Sequence, residues 1–262
     1  MKNAISIRIL TLVLLLGICL SAHAQNKERQ YYQLKTYTIT SAEQEAMMDT
    51  YLKDAYLPAL DRAGIADVGV FKVRPGNYTP TNKIYVLIPF ESLQQFEDLE
   101  NVLAKDEQYA TSGSLYLDAE YNAPPYERIN SVLMRAFSEM PQMRPSEVDG
   151  PKEGRVYELR SYESPTEKTY MNKVDMFNAG GEVDLFESLD ANAVFYAEVL
   201  SGDRMPNLMY MTTFSDMEAR DALWEAFRTS PKWTALKADP KYQNNMKKAD
   251  IMLLYPTEYS DY

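Results

Sequence analysis

Six polar residues of this chain stand at strand spacing: Glu158, Arg160 and Tyr162, echoed by Gln33, Lys35 and Tyr37. In the later segment they alternate with Tyr157, Leu159 and Ser161, and in the earlier one with Leu34. An extended chain therefore puts each trio on a single face. On such a face an arginine or lysine can orient an anion or a carbonyl, and a glutamate or tyrosine can exchange a proton with it. The same groups can instead satisfy one another, Glu158 and Arg160 forming a structural ion pair. With Leu159 and Leu34 read as facing helices, all six turn inward and line a polar cavity. Trp224 and Trp233 read as packing anchors on helices, and Asp216 and Glu218 as acids that cap a helix.

The elements that must position these residues repeat. Residues 31–38 alternate as a strand, and Ser41 caps a helix that carries Met47, Met48, Tyr51, Leu52, Ala55, Tyr56 and Leu60 at helical spacing, kinked near Pro58 and closed by Gly64. Strands follow at 68–74 and 83–90. A helix bearing Leu93, Phe96, Leu99 and Leu103 comes next, then an insertion over 111–125 and a strand at 131–137. This is βαββαβ. Residues 139–154, with three prolines and two glycines, read as a linker.

The order then recurs: a strand at 155–162, helical pieces at 164–178 and 182–189, strands at 192–200 and 208–214, a helix at 215–227 and a strand at 251–255. Ser215 and Glu218 have the spacing of a capping box. Val70-Phe71 aligns with Val194-Phe195 at an offset of 124, Phe90-Glu91-Ser92-Leu93 with Phe214-Ser215-Asp216-Met217 at the same offset, and the opening strands at 125. Three anchors in one order indicate an internal duplication. The implied domains are 25–138 and 155–262.

The second unit resembles the NIPSNAP family. The resemblance rests on the Tyr157-Glu158-Leu159-Arg160-Ser161-Tyr162 strand, Ala193-Val194-Phe195, the Phe214-Ser215-Asp216 strand exit, and Ser230-Pro231-Lys232-Trp233. It covers 154–258 well and 30–138 weakly, where Gln33 and Lys35 replace the Glu and Arg. It implies an α+β fold in which tandem ferredoxin-like units form a dimeric α+β barrel. The barrel closes within this chain or, alternatively, between two copies as a homo-oligomer. The resemblance implies no settled reaction.

Composition narrows the chemistry. Residues 1–24 carry Lys2 and Arg8, an apolar run from Ile9 to Leu20, and Ala22-His23-Ala24, the order of a cleaved export signal. The expectation is a periplasmic or extracellular protein beginning near Gln25. Cys19 and His23, the chain's single cysteine and histidine, would leave with that segment. The remainder could run neither a Cys-His nor a Ser-His-Asp mechanism, nor hold zinc or haem in the usual way. No cofactor is expected. The net charge of −11 argues against nucleic acid as a partner, and no later stretch reads as a membrane span. Asn77-Tyr78-Thr79 matches a glycosylation sequon. Three functions stay open: a module holding a small organic or anionic molecule in the barrel, a cofactor-independent monooxygenase or isomerase using Glu, Arg and Tyr, and a structural interaction protein.

Overall fold

The computed structural model describes residues 28–76 and 80–262. The segment expected to be an export signal and the Asn77 sequon lie outside the described residues. The first unit contributes β1 (Tyr31–Thr38), β2 (Gly69–Val73), β3 (Lys83–Phe90) and β4 (Arg128–Ala136), and the second β5 (Val156–Glu163), β6 (Asn192–Ser201), β7 (Asn207–Phe214) and β8 (Lys248–Pro256). They form one closed barrel in the order β1-β3-β2-β8-β5-β7-β6-β4. In each unit the first strand lies between the third and the fourth or its equivalent, as in β1 between β3 and β4 and β5 between β7 and β8. The units join edge to edge, Phe71 opposite Pro256 and Ala136 opposite Ala197. Closure leaves no sheet edge open. The barrel thus closes within the chain, not between copies.

Three apolar clusters follow from this closure. One fills the barrel, including Tyr32, Leu34, Phe71, Tyr157, Leu159 and Met211. The others pack the outer faces of the two half-barrels against their own helices. This reverses the expected orientation. Leu34 and Leu159 point into the barrel, while Glu158, Arg160 and Tyr162 lie under the helices. Strand alternation says which residues share a face but not which face is enclosed. The interior of an eight-stranded barrel has room for little beyond its own side chains. Ionised groups there would lose water without gaining partners, whereas the outer face brings helix side chains to them.

Helices cover that outer face. In the first unit α1 (Ala42–Tyr51) runs through a π-helical turn, Leu52–Tyr56, into α2 (Leu57–Arg62). The expected kink near Pro58 is thus a widened turn immediately before it. The wider turn relieves the clash of a proline ring with the carbonyl four residues back. α3 (Leu93–Leu103) starts at Ser92, whose hydroxyl accepts from the Gln95 amide at 3.1 Å. Of two short helices, α4 (Glu107–Ser112) straddles the start of the expected insertion and α5 (Ser114–Leu117) lies within it. They bring Tyr109 and Tyr116 onto the first unit's helix-side core.

The second unit is covered by α6 (Glu167–Phe177), α7 (Glu182–Glu187), α8 (Met217–Thr229) and α9 (Pro231–Ala238). Asp216, not Ser215, caps α8, accepting from the Ala219 amide at 2.8 Å. A carboxylate at a helix N-terminus also meets the favourable end of the helix dipole.

Candidate functional site

β5 and α8 build the polar cluster of the second unit. Glu158 is fully buried. Its carboxylate accepts from Arg160 Nε and Arg220 Nε, both at 2.6 Å, and from Trp224 Nε1 at 2.9 Å. The Arg160 guanidinium lies 3.6 Å from the centre of the Trp224 ring and donates to the Tyr162 hydroxyl at 2.9 Å. Tyr162 shares a 2.8 Å hydrogen bond with Tyr210. Every charge here has a partner and the indole fills the remaining space. The arrangement is a satisfied network, the structural alternative of the sequence analysis. Charge-assisted bonds and the stacked cation keep its arginine ionised.

The equivalent face of the first unit is open. Gln33 and Lys35 of β1 look onto a cavity of about 600 Å³ between that strand and α3 to α5, walled by Tyr51, Tyr56, Phe96, Tyr109 and Tyr116. Lys35 Nζ stands 3.5 Å from the Tyr56 hydroxyl, a long contact, and 5.1 Å from the centre of that ring. No carboxylate of the described residues is within ion-pair distance of it. Burial pulls the Lys35 amine below the usual lysine range, and the charge of Glu100 on the exposed rim opposes that shift. Burial pushes the Tyr56 phenol up, so it stays protonated. Gln33 donates to Ser131 Oγ at 2.8 Å.

The structure therefore brings Glu158, Arg160 and Tyr162 together, and separately Gln33 and Lys35. The two trios do not share a cavity, because the barrel stands between their helix layers. Tyr37 is packed in the first unit's core, 5.5 Å from Tyr126, and does not line the opening. Within the barrel, about 280 Å³ remains at one mouth, among Leu34, Tyr85, Ser161, Met209 and Met252. None of the six predicted residues lines it.

Sequence reasoning missed the aromatic wall and Glu100. A signal for the latter existed. With α3 and α8 aligned at the offset of 124, Glu100 falls on Trp224, so the first unit has a shorter side chain where the second has its indole. Among the described residues, no group of three or more His, Cys, Asp or Glu is placed to hold a metal ion. No helix among them is long and apolar enough to cross a membrane.

Comparison with known proteins agrees with this architecture. The NIPSNAP family model matches residues 32–115 and 157–261. A protein of Lactobacillus acidophilus NCFM proposed to be a monooxygenase has 8% identity over 87% of this chain and 94% of its own, with a TM-score of 0.57. One of Fusobacterium nucleatum, proposed to be the same, has 7% identity over 87% and 93%, with a TM-score of 0.56. A NIPSNAP family protein of unknown function from Agrobacterium tumefaciens has 17% identity over 44% of this chain and 98% of its own, with a TM-score of 0.36. Among curated proteins, none matches. At these identities the first two of these structures speak for the fold alone.

Proposed function

The chain belongs to the NIPSNAP family, and from that premise we propose that it binds a small organic molecule carrying an anionic group in the helix-side cavity of its first unit. The observation that carries this is the contrast between Lys35 and Arg160. They hold equivalent positions, opposite Val86 of β3 and Tyr210 of β7. Arg160 has a carboxylate at 2.6 Å, whereas Lys35 faces a cavity without an ion-pair partner. A part-buried cation that lacks an anion gains from acquiring one. Aromatic walls supply the apolar contact typical of a small-molecule site. The barrel interior is not the site expected from this reading, since apolar side chains fill most of it.

Mass spectrometry of the purified full chain should find a co-purifying anion that the Lys35→Met variant lacks. Affinity should also fall as pH rises through the depressed Lys35 pKa, because only the ammonium form attracts an anion. Equal occupancy in wild type and variant sinks the proposal.

A second reading is proton-transfer catalysis in the same cavity, favoured by the lowered Lys35 pKa beside a protonated Tyr56. Here the neutral amine is the working form, so activity would rise with pH where binding alone falls.

Residues 1–24 are proposed to be an export signal cleaved after Ala24, supported by their charged, apolar and small-residue order. N-terminal sequencing of protein from its native host should begin at Gln25; a start at Met1 contradicts it.

A further inference from the structure

The duplicated fold supplies an image of its own ligand. Resting on the binding reading above, we propose that the first-unit cavity takes an aromatic carboxylate. Its carboxylate and ring would occupy the places that the Glu158 carboxylate and the Trp224 indole occupy in the second unit.

The correspondence between the units is fixed by pairing and by caps. Lys35 lies opposite Val86, and Arg160 opposite Tyr210. α3 begins after Ser92 and α8 after Asp216, each capping side chain accepting from an amide three residues on. These anchors place Gln33 on Glu158, Lys35 on Arg160, Phe96 on Arg220 and Glu100 on Trp224.

In the second unit a cation, a carboxylate and an aromatic ring form one compact set. Arg160 bonds to Glu158 at 2.6 Å, Trp224 Nε1 bonds to Glu158 at 2.9 Å, and the guanidinium stacks 3.6 Å from the indole. In the first unit only the cation is kept. The carboxylate has become the neutral amide of Gln33, and the indole position carries an exposed Glu100 at the cavity rim. The missing pieces are thus a carboxylate within ion-pair distance and a stacked ring, since Glu100 acts on Lys35 only from the rim.

The walls agree with this assignment. Tyr51, Tyr56, Phe96 and Tyr109 offer ring faces and edges to a planar guest. The Tyr56 hydroxyl, which lines the cavity beside Lys35 and which burial keeps protonated, can serve its carboxylate as a donor, whereas the Tyr109 hydroxyl is shared with Tyr51 at 2.9 Å. The opening of about 600 Å³ lies within the range of small-molecule sites. Glu97 and Glu100 on the rim add a specificity element: a second anionic group projecting outward would meet them, which favours a monocarboxylate.

The test uses the full chain with indole-3-acetate as the probe, measured by calorimetry. Its neutral counterpart indole-3-ethanol and the non-aromatic cyclohexylacetate serve as controls. Indole-3-acetate should bind, and each control should bind about tenfold or more weakly, the loss expected for one charge-assisted or one stacking contact. Two variants rebuild the second unit's solution inside the first. Gln33→Glu gives Lys35 an internal carboxylate, and Glu100→Trp returns an indole to the rim. Each should abolish probe binding while retaining the melting transition. Glu100 is exposed, so at least that variant folds and reads out.

Probe binding that is unchanged in the folded Glu100→Trp variant overturns the proposal, as does equal binding of the neutral indole. A co-purifying molecule that depends on Lys35 but is not displaced by indole-3-acetate overturns the ligand class and leaves the binding reading standing. Loss of nothing on Lys35→Met overturns both.

Discussion

Replacing Arg160 by alanine should lower stability by roughly 3–5 kcal/mol, the range for breaking a buried ion pair, while Lys35→Met at the equivalent position should cost little or add stability. The side chain of Glu158 is 0% exposed and that of Arg160 12%. Without Arg160, the carboxylate keeps only Arg220 and Trp224, and Tyr162 loses its guanidinium donor. Those two surviving donors place the expected loss toward the lower end of the range. Lys35 has no such commitments. Its ammonium is part-buried with one long contact to Tyr56 and only the rim charge of Glu100 acting on it, and a methionine of similar length removes a weakly compensated charge while retaining the stem's packing. Urea denaturation of both variants beside wild type measures the contrast. Similar losses for the two would mean that Lys35 is as deeply networked as Arg160, which the geometry denies.

Lys173→Met should also cost about 3–5 kcal/mol at neutral pH, because it strands a buried carboxylate. Lys173 Nζ donates to Glu182 Oε2 at 2.9 Å, with the two side chains only 5% and 4% exposed. Burial raises the Glu182 pKa above the usual glutamate range, and Lys173 is the main influence opposing that rise. Removing the lysine pushes the folded-state pKa further up. A carboxyl whose folded pKa exceeds its unfolded value is stabilised as the protonated acid. The penalty is therefore fully present above the variant's folded pKa and shrinks as pH falls toward the unfolded value. The stability gap between wild type and Lys173→Met should narrow between neutral and mildly acid pH. A gap independent of pH would show that lost packing, not the stranded charge, sets the cost.

Much of the architecture was legible because it depends on local rules. Alternation marked strands at 31–38 and 155–162, observed at Tyr31–Thr38 and Val156–Glu163, helical spacing marked the helix observed at Leu93–Leu103, and constant offsets marked the duplication. Two misreadings have local causes. The cap of α8 moved by one residue, since Ser215 and Asp216 are both good caps and only the strand's exit selects between them. Helix α4, at the start of the stretch read as an insertion, and α5 within it were missed, because each is at most six residues long and shows too few turns for a period.

The sequence by itself determined that Glu158, Arg160 and Tyr162 share a strand face, that Gln33, Lys35 and Tyr37 share its duplicate, and that two βαββαβ units are joined in one chain. Only the tertiary structure decided which face is enclosed. Strand periodicity is symmetric between the two sides of a sheet. Closing eight strands breaks that symmetry by leaving one side just wide enough for Tyr32, Leu34, Tyr157 and Leu159. Tertiary structure likewise decided that one polar face is sealed and the other open. That outcome turns on what α3 and α8 lay across the strands: Trp224 closes over Arg160, and Glu100 leaves Lys35 facing a cavity. Those contacts join residues about 65 positions apart in sequence, where no local pattern reaches. Packing, acting on two units of the same element order, made one polar face a network and left the other facing a cavity.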